Sequence, residues 1–157
     1  MKPTLYLETT IVSYYVARPT DQLIVAAHQE LTRQWWEQRL KGFRAYISQF
    51  VLDEVRDGDP IMVRKRLRAL RGLERLPTVN TALELGRKLL LSGLFPRAAA
   101  RDASHLSMAA AYGLQFLVTW NCRHLANARV FDRVWRICRE AGYECPVVCT
   151  PEELMEI

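Results

Sequence analysis

The chain has 157 residues and a formal net charge of +5, with half of its residues apolar and a quarter charged. That length buries roughly two thirds of the unfolded surface in one domain, residues 1–157, and leaves no room for a second; the balance excludes a disordered or fibrous chain. No apolar run approaches the roughly 20 residues of a bilayer span, and Met1-Lys2-Pro3 leads into a strand rather than a signal peptide, so a cytoplasmic location without membrane contact is expected.

Thr4–Leu7 is short, apolar and rich in β-formers, as a central strand of an α/β sheet requires. Glu8-Thr9-Thr10 follows at its carboxyl end, where ligands bind in such sheets. On these residues alone Glu8 reads equally as a metal ligand or as a helix cap. Ile11–Tyr15 is aromatic and β-branched, and Arg18-Pro19-Thr20 breaks the pattern. Asp21 is a candidate N-cap for a helix running to Leu40, with Ile24, Ala27, Leu31 and Trp35 at helical spacing and Gly42 at its stop. The Trp35-Trp36 pair could offer a surface for stacking bases, but is assigned to the core or a dimer interface.

Phe43–Ser48 reads as the second strand, and Gln49–Val55 as a helix directly after it, with Phe50, Val51 and Val55 as anchors and Glu54 projecting toward the strand ends. Arg56–Pro60 is a turn by composition. Ile61–Leu76 and Thr81–Ser92 are predicted as two helices separated by Pro77 and packed as an antiparallel pair. The first holds Arg64, Lys65, Arg66, Arg68, Arg71 and Arg75, either a solvated face or a phosphate-tracking surface.

Ala98–Tyr112 is an Ala-rich helix closed by Gly113, with Asp102 near its start and His105 one turn later. Such helices pack closely, so Asp102 needs a partner or a cation. His105 reads equally as a residue orienting a ligand or water or as a packed histidine bonded to backbone, and the structural role is favoured. Leu114–Thr119 is the third strand, followed by Trp120-Asn121; a helix from Val130 to Ala141 stops at Gly142; and Pro146–Cys149 is a short last strand. Thr150-Pro151-Glu152-Glu153 opens a final helix with Thr at N-cap, Pro at N1 and Glu at N3. Cys122, Cys138, Cys145 and Cys149 are expected as reduced, packing thiols, since with His124 they fit no usual zinc spacing. Strands alternating with helices predict an α/β fold, a parallel sheet covered on both faces.

No G-x-x-x-x-G-K-[ST] loop, G-x-G-x-x-G turn or G-x-S-x-G elbow is present. What remains is an acidic set, Glu8, Glu54 and Asp102 with Asn121, mapped to the carboxyl edge of the sheet. Carboxylates held close together repel unless a cation neutralises them. Oxygen ligands of this kind suit Mg²⁺ or Mn²⁺, and the implied chemistry is metal-assisted hydrolysis of a phosphodiester.

Tyr6-Leu-Glu8-Thr-Thr-Ile, Ile47-Ser48 running into Val51-Leu-Asp-Glu54-Val, Gly58-Asp59-Pro60, Arg101-Asp102-Ala-Ser-His105-Leu and Leu117-Val-Thr-Trp-Asn121 together resemble PIN-domain proteins, and more narrowly the VapC-type toxins of toxin–antitoxin pairs. The resemblance implies a PIN-like three-layer α/β/α fold with a central parallel sheet of about four to five strands. It also implies an Mg²⁺- or Mn²⁺-dependent endoribonuclease whose catalytic and metal-holding positions are Glu8, Glu54, Asp102 and Asn121, with Thr119 matching a hydroxyl residue near the last ligand. Further implications are RNA as substrate, a homodimer, and a cognate antitoxin occupying the groove. Glu8 is one methylene longer than the family's usual Asp, and Asn121 replaces an acid. The alternative on the same residues is a PIN-like module that binds RNA or a partner protein without cutting.

Overall fold

The computed structural model of the chain describes residues 1–155. Five strands form one parallel sheet in the order β3-β2-β1-β4-β5, with β1 Thr4–Leu7, β2 Arg44–Ser48, β3 Glu74–Leu76, β4 Phe116–Val118 and β5 Val147–Cys149. Seven α-helices connect and flank them: α1 Thr9–Tyr15, α2 Leu23–Gln38, α3 Gln49–Glu54, α4 Pro60–Ala69, α5 Asn80–Leu91, α6 Ala100–Ala111 and α7 Ala128–Glu140. The five-stranded parallel sheet agrees with the α/β architecture expected from the sequence.

β1 is the centre of the molecule. Leu5, Tyr6 and Leu7 are at most 1 % exposed, the continuous burial of a parallel strand covered on both faces. Its register sets Tyr6 opposite Tyr46 and Leu117, and Leu7 opposite Val118. From β1 the chain winds outward through β2 and β3, then returns to the other side of β1 as β4. Strand order therefore reverses between β1 and β4, and the crevice beyond their carboxyl ends is where open α/β sheets bind ligands.

Two expectations are overturned. The residues 61–76 are not one helix: α4 ends at Ala69, Gly72 turns the chain at φ 87°, and Glu74–Leu76 forms the edge strand β3. A three-residue strand with only Leu76 buried has too short an alternation to be seen against the helical Arg/Leu spacing before it. The predicted antiparallel helix pair is replaced by packing of α5 on α6. A methyl group at Gly86 of α5 would lie 3.2 Å from Ser107 Oγ of α6, so small residues let these helices approach. Ile11–Tyr15, to which the sequence assigned no element, lies in helix α1 despite its β-branched and aromatic content, with Ile11 and Val12 buried; tertiary packing overrides propensity.

At the C-terminal helix start Glu153 Oε2 accepts from Thr150 N at 2.8 Å and from Thr150 Oγ1 at 3.0 Å, and among the described residues the element that follows is the 3₁₀ turn Glu152–Leu154. All four cysteines are free thiols, with Cys138 and Cys149 buried. No helix among the described residues is long and apolar enough to cross a membrane.

Candidate metal centre

Glu8 stands at the first position past β1 and is 4 % exposed. Its backbone N–H donates to Val118 O at 3.1 Å, continuing the sheet ladder, while its side chain caps α1. Glu8 Oε2 accepts from Thr10 N at 3.1 Å, from Thr119 Oγ1 at 2.7 Å and from the Thr10 hydroxyl. Both hydroxyls are themselves held: Trp120 N donates to Thr10 Oγ1 and Asn121 N to Thr119 Oγ1, each at 2.9 Å. Two amides of the chain leaving β4 thus aim two hydroxyls at one carboxylate oxygen. The cap and the ligand readings of Glu8 are compatible, since no hydrogen bond to Oε1 is present among the described residues.

Glu54 comes from α3, a helix that starts directly after β2 and brings this carboxylate back over the strand ends. Its Oε1 accepts from Thr9 Oγ1 at 2.8 Å and meets His105 Nε2 in a short hydrogen bond. The Arg101 guanidinium lies 3.9 Å from Oε2 and also reaches Asp57 at 3.6 Å. Burial alone would raise the Glu54 carboxyl, but His105, Thr9 and Arg101 together hold it below the ordinary glutamate range.

His105 is fully buried and makes no backbone bond of the kind a packed histidine would. Its Nδ1 faces Tyr6 Oη at 2.8 Å, and Tyr6 Oη faces Ser48 Oγ at 2.6 Å. For the neutral ring the consistent assignment is Ser48 donating to Tyr6, Tyr6 donating to Nδ1, and Nε2–H donating to Glu54. Burial raises the Tyr6 phenol well above its usual range, which keeps it a hydroxyl donor. Buried polar groups are costly unless every member is bonded, and here the chain runs unbroken from Ser48 to Glu54.

Glu8, Glu54 and His105 offer ligand atoms that all lie within 4.8 Å of one another. Asp102, half-buried in the first turn of α6, stands outside this tight trio but shares a helix face with His105 at i,i+3. Its carboxyl is pushed up, first by burial and then by the charge of Glu8, with His105, the Asn121 side chain and His124 acting the other way. Asn121 closes the turn after β4: its Oδ1 accepts from His124 N at 3.2 Å. The Trp120 ring is packed on α2, its Nε1 donating to Thr32 Oγ1 at 2.7 Å and its ring stacked on His28 at 4.0 Å.

The donor set suits a hard cation. Both His105 nitrogens are engaged by Tyr6 and Glu54, so the groups left to coordinate are carboxylate oxygens of Glu8, Glu54 and Asp102, the type that Mg²⁺ and Mn²⁺ prefer. Asp102 and Glu8 already repel each other, and a cation between them would relieve that repulsion.

Sequence reasoning passed over Tyr6 and Ser48, marked Thr9 and Thr10 only as hydroxyls beside Glu8, and favoured a structural part for His105. The signal was there in the i,i+3 spacing of Asp102 and His105 and in the two threonines directly after Glu8. Tyr6 and Ser48 carried no signal, because an inward-facing hydroxyl in a buried strand looks like core until its partners are known.

No family model and no curated protein sequence matches the chain. Its structure is similar to a chain in the crystal structure of VapBC2 from Rickettsia felis bound to a DNA fragment from their promoter, with a TM-score of 0.60 and 18 % sequence identity over 94 % of this chain and 98 % of that one. At that identity the likeness speaks for architecture alone: the chain has the PIN-like fold.

Proposed function

We propose that the protein is a divalent-metal-dependent endoribonuclease and the toxin of a toxin–antitoxin pair. One observation carries this reading: Glu8 and Glu54, from two separate elements, offer carboxylate oxygens within 4.8 Å of one another beyond the strand ends, and Asp102 on α6 has its carboxyl pushed up by burial and by the charge of Glu8. Perturbed carboxyl groups of this kind cluster at functional sites.

In this reading Glu8, Glu54 and Asp102 hold Mg²⁺ or Mn²⁺, directly or through water, and Asn121 orients the hydration shell. When bound, the ion supplies a Lewis acid for the phosphodiester and an acidified water. The chain's own groups do the positioning. Thr10 and Thr119 fix Glu8, while Tyr6 and His105 fix Glu54, so the carboxylates need little rearrangement on binding. Arg101 is exposed beside Glu54 and Asp57 and is placed to exchange those acids for a substrate phosphate.

That the similar structure is of VapBC2 bound to promoter DNA supports proposing a protein antitoxin here too; a homodimer and a cytoplasmic location for the single domain 1–157 are proposed on the resemblance of the sequence alone. A second reading has a specific observation behind it. Glu8 Oε2 is saturated by three donors, Glu54 Oε1 by two, and Asn121 brings no charge, which favours a module that binds RNA or a partner without cutting. Purified protein incubated with defined RNAs and DNAs under Mg²⁺, Mn²⁺ or EDTA separates the two. Metal-dependent RNA cleavage abolished by Asp102→Asn supports the nuclease; RNA binding with no cleavage in either metal rejects it.

A further inference from the structure

The acidic centre leaves most of the positive charge unexplained. α4 and the residues just past it hold Arg64, Lys65, Arg66, Arg68 and Arg71, with no acid from Pro60 to Arg71. Arg66 is turned inward, its guanidinium donating to Asp57 O at 2.6 Å. Arg64, Lys65, Arg68 and Arg71 are exposed, and among the described residues none of the four makes an ion pair. On α4, Arg64 and Arg68 fall within about 40° of each other and about 6 Å apart along the axis, and Arg71 follows just past the helix end. A face charged only for solubility would mix signs, because like charges one turn apart destabilise a helix.

A second observation gives that face a ligand-like setting. Tyr15, Val16, Lys65, Arg68 and Ala69 line a cleft of about 420 Å³. The Tyr15 ring stacks on Trp36 at 4.5 Å and 11°. Trp36 in turn lines a second cleft, of about 490 Å³, with Lys2, Lys41 and Arg44. Arg44 opens β2 and Lys2 precedes β1, so this second cleft lies where the strands begin, at the opposite end of the sheet from Glu8. Glu74 is the sole acid lining it, 3.7 Å from Arg44.

We propose that this strip is a track for single-stranded RNA, running from the α4 cations across the Tyr15–Trp36 pair to the cleft at the strand starts. Cations spaced along it neutralise successive phosphates, a sequence-blind and salt-sensitive contact, and the half-buried aromatic pair offers ring surface to bases. The track is separate from the acidic centre, so RNA is held without any metal. The choice of RNA rests on the ribonuclease reading above; the existence of the strip does not.

Fluorescence anisotropy with a labelled unstructured 12-nucleotide RNA, in EDTA, tests this on the full chain. Lys65→Glu/Arg68→Glu should weaken binding at least tenfold and lower the log–log salt slope by about 1.4. Lys41→Glu, at the far cleft, should weaken it about threefold. Arg129→Glu/Arg133→Glu on α7 makes the same change in net charge and should leave binding within twofold, with thermal melts confirming that all variants fold. Equal loss from the α7 pair, unchanged affinity in the α4 pair, or loss by the α4 pair of a protein partner but not of RNA would each overturn the track. Binding that depends on the track in a protein that cleaves nothing under Mg²⁺ or Mn²⁺ supports the track and rejects the nuclease instead.

Discussion

Thr119 donates its hydroxyl to Glu8 at 2.7 Å across the boundary between β4 and β1, joining two residues 111 positions apart at the one place where the strand order reverses. Thr119→Val removes a donor from the carboxylate and leaves Asn121 N without its acceptor. Unfolding in urea should show a loss of about 1–2 kcal/mol, and Mn²⁺ affinity measured by calorimetry should fall several-fold.

Asp102 has its carboxyl raised, so its ionised form is disfavoured in the fold. That penalty is absent below the ordinary aspartate range and grows as pH rises through the raised value. Asp102→Asn should therefore raise the thermal midpoint of the metal-free protein at neutral pH, with the gain vanishing on acidification. In the parent protein, Mn²⁺ affinity should drop as pH falls through the same window, with protons released on binding. A metal-free midpoint unchanged by Asp102→Asn across pH 4–8 contradicts this.

Glu54 has the opposite sign. Its carboxyl is depressed by His105, Thr9 and Arg101, overcoming burial, so it contributes stability above the ordinary glutamate value that is lost as pH falls through the depressed one. Glu54→Gln should destabilise the protein at neutral pH, and parent and variant denaturation curves should converge in acid.

Gly86 tests the α5–α6 contact, which buries the helix carrying Asp102 and His105. Gly86→Val puts branched carbon where even a methyl would meet Ser107 Oγ at 3.2 Å, and should cost about 1–3 kcal/mol by chemical denaturation. Gly86→Ala should be near neutral, its helix propensity offsetting the squeeze.

Much of the architecture was legible because it is local. Four strands were predicted near their observed positions from apolar runs ended by polar groups, and Glu54 was correctly set on a helix returning over the strand ends. β3 was not, since three residues carry no period and only pairing of Ser48 with Leu76 and its neighbours makes them a strand. In the site, the acids could be listed from their places after a strand or on helices facing the strand ends, but their distances could not. His105 illustrates the limit: spacing put it beside Asp102, whereas its bonds go to Tyr6 and Glu54, 99 and 51 residues away.

Glu8 closes the N-terminus of α1 with the same carboxylate that gives the crevice its charge. Replacing it by an apolar residue would fray the first turn of α1 and strand the Thr10 and Thr119 hydroxyls, whatever the crevice binds. Folding itself thus acts as a brake on the loss of this acid, ahead of any selection on what the protein does, and an inert descendant of this chain would be expected to shed Asp102 first.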